Sequence, residues 1–328
     1  MLIFDGHSDV LVDITARRLK GEKDVFKNIH LPKLQKGGIN ALVAAVWIEP
    51  KYDDDPAGRM YQLLENGFAD FCQLDNVVFP VKNGKELRAA VDNGKIGIIL
   101  GMEGLSGLEK NPEGMYMLYN MGVRHASLTW NEANYFATGV RAPQLENGVT
   151  AEGKKVIRIM EELGIMIDVS HANEKTFWDV LNMATGPIIA THSNAYNLCP
   201  VPRNLKDEQI KAIADSNGLI GINAWPEFID KTEPDVEKLI NHIDYLVEKA
   251  GIDRVAFGFD FVDFLEEDAV TASSTQDDGP KMTKGLHRAE DVPNLVAGLK
   301  NRCYKKEDLE KLCFLNMESL FNRVCKEK

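Results

Sequence analysis

Long apolar runs are missing from this sequence. No hydrophobic stretch in its 328 residues approaches the roughly 20 that a transmembrane helix needs. The N-terminus, MLIFDGH, has no basic segment, no apolar segment of sufficient length and no small-residue cleavage site, so it differs from a secretion signal. We therefore expect a protein without a membrane partner.

The sequence also has fewer positively than negatively charged residues. The chain has 38 Lys and Arg residues against 50 Asp and Glu residues, which gives a formal net charge of −12. Nucleic acids and anionic membrane surfaces are bound by clusters of Lys and Arg. The acidic balance therefore argues against nucleic acid as a partner.

Disulfide patterns and interdomain linkers are missing as well. The five cysteines are scattered, odd in number and contain no C-x-x-C pair. This pattern favours free thiols, which are typical of a reducing compartment, and we expect the protein to be cytoplasmic. No stretch rich in Pro, Gly or Ser divides the chain, so we expect a single domain over residues 1–328.

What the sequence does contain is an alternation of short β-rich runs with longer helical patterns. The apolar runs are mostly continuous, as is typical of parallel strands covered on both faces. We predict strands at 2–6, 40–48, 96–101, 123–129, 165–169, 187–191, 218–223 and 254–259. We predict helices at 58–74, 84–93, 113–121, 151–163, 174–184, 206–216 and 235–250.

Eight strands with intervening helices predict an α/β fold of the (β/α)₈ TIM-barrel type. Extra C-terminal helices near 290–301 and 305–324 would complete it. Residues 261–289 form the one long stretch without a regular pattern, and a loop of this length is usually a lid or partly disordered. Asn173 and Asn204 are expected to begin the helices that follow them.

Polar residues follow the predicted strands at the points where these strands end. They are His7 and Asp9 after the first strand, Glu103 after the third, His171 after the fifth, His192 after the sixth and Asp260 after the eighth. The carboxyl ends of barrel strands meet at one rim, which holds the active site in such enzymes. A single histidine at a strand end is usually a hydrogen-bonded structural residue, but six such residues on one rim predict a functional cluster.

The residue types in this cluster are those that bind divalent metal ions. Imidazole nitrogens and carboxylate oxygens are the usual ligands of zinc and similar ions. Three histidines with Asp9 and Glu103 are too many for one tetrahedral site that keeps a position for water. They suit two ions about 3.5–4 Å apart that share a carboxylate, with a bridging water that is largely hydroxide at neutral pH. Asp260 would then be free to move a proton, and Asp5 and Asp168 would orient ligands.

Six short motifs, taken in order, resemble those of the membrane (renal) dipeptidase family, peptidase family M19. They are DGHSD at 5–9, GMEG at 101–104, DVSH at 168–171, ATHSN at 190–194, PRN at 202–204 and GFDF at 258–261. The resemblance extends over nearly the whole chain. It implies an amidohydrolase-like barrel, a binuclear zinc site and hydrolysis of small dipeptides, and it leaves open a homodimer.

The resemblance also implies a role for each motif residue. His7 and Asp9 would bind one zinc ion, His171 and His192 the other, and Glu103 would bridge the two. Arg203 would hold a carboxylate of the substrate, to which its planar guanidinium is suited. Asp260 would take a proton from the attacking water and pass it to the leaving amine.

The sequence departs from the family where Trp130 follows the fourth predicted strand. The family often has a histidine there that stabilises the oxyanion. We expect Trp130 and Asn131 to contact substrate, and Asn131, Asn134 or a metal ion alone could stabilise the oxyanion. After the eighth strand the sequence reads DFVDF, so Asp260 is the natural match to the proton carrier and Asp263 is the less favoured one.

The leading hypothesis is a metal-dependent dipeptidase acting through a hydroxide that bridges two metal ions, with zinc as the expected metal. One alternative keeps the metal centre but changes the substrate to another small amide or an N-acyl amino acid. Another alternative is a non-catalytic barrel that binds a metal ion or a small ligand. Asp260 argues against a binding protein, because such a protein needs no proton carrier.

Overall fold

Eight parallel strands close into a barrel in this computed structural model, which describes residues 1–274 and 282–326. The strands are β1 (Ile3–Ser8), β2 (Ile39–Trp47), β3 (Val77–Val78), β4 (Ile96–Glu103), β5 (Val123–Ser127), β6 (Met166–Asp168), β7 (Ile188–Ala190), β8 (Leu219–Ile222) and β9 (Val255–Phe257). The circle runs β1-β2-β4-β5-β6-β7-β8-β9 and closes where β9 pairs with β1. The short strand β3 pairs with the start of β4 and is an addition to the circle. The predicted barrel is confirmed.

Helices connect the strands along the outside of the barrel. They are α1 (Val10–Leu19), α2 (Leu31–Gly37), α3 (Pro56–Phe71), α4 (Gly84–Asp92), α5 (Gly114–Met121), α6 (Ala151–Leu163), α7 (Glu174–Met183), α8 (Asp207–Asp215), α9 (Pro226–Ile229), α10 (Val236–Ala250), α11 (Glu267–Ser273), α12 (Val292–Asn301), α13 (Lys306–Glu310) and α14 (Asn316–Val324). π-Helical turns span Phe26–His30 and Lys311–Leu315, and 3₁₀ turns span Pro50–Tyr52, Ser106–Leu108, Ile252–Arg254 and Ala289–Asp291. Within the part of the chain that the structure describes, no helix is both long and apolar enough to span a bilayer.

Local sequence explains where these helices begin and end. Helix α6 starts at Thr150, whose side chain accepts a hydrogen bond from the amide of Gly153, and it ends at Gly164 with φ of 75°. Asn173 begins α7 as predicted, because its side chain accepts from the Thr176 amide. The expectation for Asn204 was wrong. Helix α8 begins after Lys206, and the Asn204 amide instead donates to backbone carbonyls, where it links two loops.

Apolar residues fill both faces of the barrel wall. Every residue of β1 and β4 is buried, as expected for parallel strands with helices outside and side chains inside. The five cysteines are unpaired, and three of them are buried. Burying a Val, Leu, Ile or Phe side chain stabilises the fold by about 1.5–3 kcal/mol relative to exposure. The strands are therefore fixed by the apolar runs from which they were predicted.

The C-terminal helices close the amino-terminal end of the barrel. The ring of Phe314 lies 5.8 Å from that of Phe4 on β1. A Cβ added at Gly6 would lie 2.8 Å from the terminal methyl carbon of Met317, so α14 reaches the strand backbone itself. Because this end is apolar and plugged, polar chemistry is left to the carboxyl-terminal rim.

The stretch 261–289, predicted to be irregular, contains helix α11, so the prediction was wrong for Glu267–Ser273. Its first residues are attached to the barrel: Lys33 donates to Asp263 at 2.6 Å and the Phe264 ring meets His30 edge-on. Residues 275–281, where a lid or disorder was expected, lie outside the described residues.

Candidate active site

The six polar residues predicted from strand ends lie together at the carboxyl-terminal rim. His7 is in β1 and Asp9 follows it, Glu103 is the last residue of β4, His171 and His192 follow β6 and β7, and Asp260 follows β9. Asp260 is partly buried, and the other five side chains are at most 7% exposed. We call His171 and His192 the β6/β7 group, and His7, Asp9 and Asp260 the β1/β9 group.

Glu103 lies between the two groups. Its Oε1 is 2.7 Å from Nε2 of His171 and 3.5 Å from Nε2 of His192. Its Oε2 is 3.5 Å from Nε2 of His7. The chain turns sharply after it at Gly104, where φ is 83° and an added Cβ would lie 2.9 Å from the Trp130 amide nitrogen. One carboxylate thus faces both groups, as a bridging ligand must.

The histidines of the β6/β7 group are oriented by hydrogen bonds to their outer ring nitrogens. Nδ1 of His171 lies 3.0 Å from Oδ1 of Asn131, and Nδ1 of His192 lies 2.8 Å from the Thr191 hydroxyl. That hydroxyl itself donates to Asp168. Both Nδ1 atoms therefore carry the proton, and both Nε2 atoms, 2.9 Å apart, present lone pairs on the side that faces Glu103.

The β1/β9 group contains buried polar atoms that lack a hydrogen-bond partner among the described residues. Nε2 of His7 lies 3.7 Å from Asp9 and 3.9 Å from Asp260. Both ring nitrogens of His7 and Oδ1 of Asp9 are buried and make no hydrogen bond within residues 1–274 and 282–326. Asp9 occupies the N-cap position of α1 but makes no capping bond. Its side chain is thus available to the cluster.

The two groups differ in proton affinity. Burial lowers the pKa of His7, but the negative charges of Glu103 and Asp9 outweigh it and raise the pKa well above its usual value. Burial, together with Arg203 and His7, lowers the pKa values of His171 and His192 well below the usual value. Burial raises the pKa of Glu103 to about 7 and raises that of Asp260.

This donor set fits divalent metal ions. Nε2 of His171, Nε2 of His192 and Oε1 of Glu103 are acceptors that converge at 2.7–3.5 Å with no proton assigned between them. Ligands at 2.0–2.1 Å from one tetrahedral ion are about 3.3 Å apart, which is the same spacing. Ligand atoms of His7, Asp9 and Asp260 also lie within 4.8 Å of one another. Buried acceptors without donors are costly unless a cation neutralises them.

A cleft of about 370 Å³, including its open mouth, lies beside the cluster. Aromatic side chains form much of its wall, namely Trp47, Trp130, Trp225 and Phe228. Asn131 also lines the cleft, but its Oδ1 faces His171. Asn134 does not line it, because its amide is bonded within its own loop to Leu128, Phe136 and Ala137. The oxyanion alternative based on Asn134 therefore finds no support.

Arg203 brings a positive charge to this cleft. It is 4% exposed, and its guanidinium carbon lies 5.2 Å from the Phe228 ring centroid. Its Nη1 donates to the Ser170 carbonyl and its Nη2 donates to the His192 carbonyl at 3.2 Å. No carboxylate of the described residues forms an ion pair with it, and burial lowers its pKa to about 10. A buried guanidinium of this kind favours an anionic ligand.

The residues expected to orient ligands lie behind the cluster. Asp5 Oδ1 accepts from the His7 amide at 3.3 Å and from the Phe259 amide at 2.8 Å, which links β1 to the end of β9. Burial raises the pKa of Asp5 to about 7. Asp168 accepts from His125 at 2.7 Å and supports His192 through Thr191.

Sequence reasoning missed Asn223, which follows β8 and is fully buried. Its amide donates to Oδ2 of Asp260 at 3.1 Å. The signal was present, because Asn223 ends the predicted strand 218–223 just as the other polar residues end theirs. An uncharged amide is not a common metal ligand, so its residue type did not indicate a role at the cluster.

Comparison with known proteins places the whole chain in one group. A family model described as membrane dipeptidase (peptidase family M19) matches residues 1–327. An uncharacterized protein from the pqqA 5′ region of Klebsiella pneumoniae is 35% identical over 240 residues, which cover 70% of this chain and 82% of that protein. Dipeptidase tcpJ of Claviceps purpurea is 25% identical over 339 residues, which cover 98% of this chain and 76% of that protein.

A solved structure has the same fold. It is a metallo peptidase from Rhodobacter sphaeroides, liganded with a phosphinate mimic of the dipeptide L-Ala-D-Ala. The TM-score is 0.85, the sequence identity is 22%, and the alignment covers 99% of each chain.

Proposed function

The chain belongs to the membrane dipeptidase family, whose members are metal-dependent dipeptidases, and we propose that it hydrolyses small dipeptides at the cluster described above. The observation that carries the proposal is the position of Glu103. One carboxylate has one oxygen toward His171 and the other toward His7, which is the arrangement two adjacent cations require.

In this proposal His171 and His192 would hold one divalent ion, His7 and Asp9 would hold the other, and Glu103 would contribute to both sites. Imidazole and carboxylate ligands favour zinc, which we propose as the native metal. Bound ions of this type polarise a carbonyl group and lower the pKa of a water molecule. The family's metal dependence and the unsatisfied acceptors of His7 and Asp9 support this assignment.

The substrate carboxylate is held by Arg203 in this scheme. Its guanidinium is buried at the cleft wall and has no carboxylate partner among the described residues. A planar guanidinium can donate two parallel hydrogen bonds to a carboxylate. The scissile peptide bond of a dipeptide is close to its C-terminal carboxylate, so Arg203 would place that bond over Glu103 and the histidines.

Asp260 moves the proton. Its Oδ1 faces His7, and burial raises the pKa of its carboxyl group, which favours uptake of a proton. It would accept a proton from the attacking water and deliver it to the nitrogen of the leaving amine. Trp47 and Trp130, whose ring centroids are 5.2 Å apart, would limit access of bulk water to the cleft.

A matched substrate panel tests the proposal. Zinc-loaded protein should hydrolyse dipeptides with a free C-terminal carboxylate and should act poorly on the same dipeptides carrying a C-terminal amide. Metal analysis of gently purified protein should give close to two ions per chain. Turnover of N-acyl amino acids without turnover of any dipeptide would favour the alternative amide substrate, and protein with far less than one ion per chain would contradict the metal centre.

A further inference from the structure

Asn223 is buried at the end of β8, and its side chain makes three hydrogen bonds, one of them to the Asp260 carboxylate. Its side-chain nitrogen donates to Oδ2 of Asp260 at 3.1 Å and to the carbonyl of His192 at 3.3 Å. Its side-chain oxygen accepts from the Trp225 amide at 2.5 Å. Both amide protons and the amide oxygen are therefore in use.

These partners fix which way the amide faces. If the oxygen and nitrogen exchanged places, the oxygen would meet the Asp260 carboxylate and the His192 carbonyl, which are both acceptors. The nitrogen would at the same time meet the donor of Trp225. Three contacts would be lost together, so only one orientation is compatible with the surroundings.

The backbone of Asn223 is held as firmly as its side chain. Its amide donates to Oδ1 of Asn194 at 2.9 Å, and the side-chain nitrogen of Asn194 donates back to the Asn223 carbonyl at 2.9 Å. The donor that faces Asp260 is thus fixed in position and in direction before any substrate binds.

Asp260 needs such a partner because, among the described residues, Asn223 alone donates a hydrogen bond to its carboxylate. Its φ is 59°, a left-handed conformation that aspartate tolerates but does not prefer, and its amide contacts the His7 carbonyl only at 3.4 Å. Its ligand oxygen lies within 4.8 Å of ligand atoms of His7 and Asp9, so a carboxylate free to turn could place both oxygens on a cation there.

We propose that Asn223 is the positioning residue for the proton carrier: it holds Oδ2 of Asp260, so that only Oδ1 faces His7 and the cleft. This inference rests on the function proposed above and extends it to a residue outside the metal and substrate contacts. The hydrogen bond to Oδ2 opposes rotation of the carboxylate into a two-oxygen contact with a cation. Oδ1 is left for the proton of the attacking water.

A double-mutant cycle with Asp260 tests the coupling. Asn223→Ala should lower kcat roughly 10- to 100-fold, since loss of a residue that orients a catalytic group has effects of this size. KM should change by less than about threefold, because the substrate contacts remain. In the Asp260→Ala background the same change should lower kcat by less than about twofold, since no carboxylate remains to be oriented. Equal losses in both backgrounds would overturn the proposal.

Metal content and a matched control separate positioning from damage to the fold. Asn223→Ala should keep the metal content of the wild type, and loss of metal would contradict a role limited to Asp260. Asn316→Ala is the control, because Asn316 is also buried and its amide donates to two backbone carbonyls, at 2.7 and 2.8 Å, near the opposite end of the barrel. It should lower the melting temperature while leaving kcat unchanged.

A crystal structure of Asn223→Ala gives a readout that does not depend on turnover. The Asp260 carboxylate should rotate or occupy two positions while His7 and Glu103 remain in place. An unmoved Asp260 would overturn the proposal even if no substrate were known. If the wild type hydrolyses another amide but no dipeptide, the proposed dipeptidase function is wrong. The double-mutant cycle is then measured with that amide as substrate, so the role of Asn223 is tested independently of the dipeptidase function.

Discussion

His7 and His171 are both buried at the same rim, and their proton affinities nevertheless move in opposite directions. Burial lowers the pKa of each imidazole. For His7 the acids Glu103 and Asp9 outweigh burial and raise the pKa well above its usual value, whereas Arg203 lowers the pKa of His171 further. The sign of the neighbouring charge decides the result.

The comparison shows that the cleft has a charge gradient across the cluster. Acids collect in the β1/β9 group, and the arginine that would hold a substrate carboxylate lies beside the β6/β7 group. A dipeptide with its carboxylate on Arg203 would therefore direct its scissile bond toward Glu103, with Asp260, the proposed proton carrier, in the same cleft. Divalent ions bind the neutral imidazole and the ionised carboxylate, so metal content should fall as the pH is lowered.

Removal of a ligand from either group should have the largest effect. His171→Ala, His192→Ala and His7→Ala should each abolish measurable hydrolysis, because each removes a nitrogen that contacts Glu103. Metal analysis should show a loss of about one ion per chain in each variant, since a two-metal site holds its ions separately. Full metal content with retained hydrolysis in any of the three would remove that residue from the ligand set.

Asp260 tests whether the β1/β9 group contains a residue that is not a ligand. Asp260→Ala should keep the metal content and lose about 10²- to 10⁴-fold in kcat, the usual cost of removing an acid–base group. Loss of one ion would instead make Asp260 a ligand alongside His7 and Asp9, which the distances within this group permit.

Arg203 contributes to the difference in pKa between His171 and His7. Its substitution should reduce activity less than substitution of Asp260 does. Arg203→Lys keeps the charge but not the planar pair of donors, and it should lower kcat/KM for dipeptides roughly 10- to 100-fold, mainly through KM. Dipeptide amides should be affected far less. Arg124→Lys is the matched control, because Arg124 is also buried and bonded to backbone carbonyls but lies at the start of β5.

The barrel could be predicted because its strands are continuous apolar runs. Such strands need apolar cover on both faces, and a parallel barrel surrounded by helices provides it. All eight predicted strands lie within two residues of the observed ones. Helix α1 was not predicted, because Val10, Leu11 and Val12 follow β1 without a turn signal and Asp9 was interpreted as a ligand rather than as the residue at the helix N-cap. Helix α11 was missed because its sequence is short and charged, and β3 because two residues give no pattern.

The cluster could be predicted for a related reason. Every member projects from a strand end, and strand order brings these ends to one rim whatever the side-chain details. The orientation of the imidazoles could not be predicted, because it depends on contacts such as that between Thr191 and His192. The contact of Asn223 with Asp260 depends likewise on the pairing of β8 with β9. These residues are 37 positions apart in sequence, and the pairing brings the Asn223 side-chain nitrogen to 3.1 Å from Oδ2 of Asp260.

His242 is a buried histidine in a third environment, outside the cluster. Its substitution should have the smallest effect on hydrolysis and should change the pH dependence of stability instead. It accepts from the Ala195 amide at 3.1 Å and contacts the Ile229 carbonyl at 3.0 Å, so the neutral ring is fully satisfied, and burial lowers its pKa from 6.5 to about 4. Above pH 6.5 the ring is neutral in the folded and unfolded states. As the pH falls toward 4 only the unfolded state takes up the proton, so stability is lost, by up to roughly 3 kcal/mol at about 1.4 kcal/mol per pKa unit.

Urea unfolding of His242→Gln and wild type from pH 7 to pH 4 should show the wild type losing more stability over this window. Parallel curves would mean that folded His242 takes up a proton as readily as the unfolded residue does, and that burial does not hold this imidazole neutral.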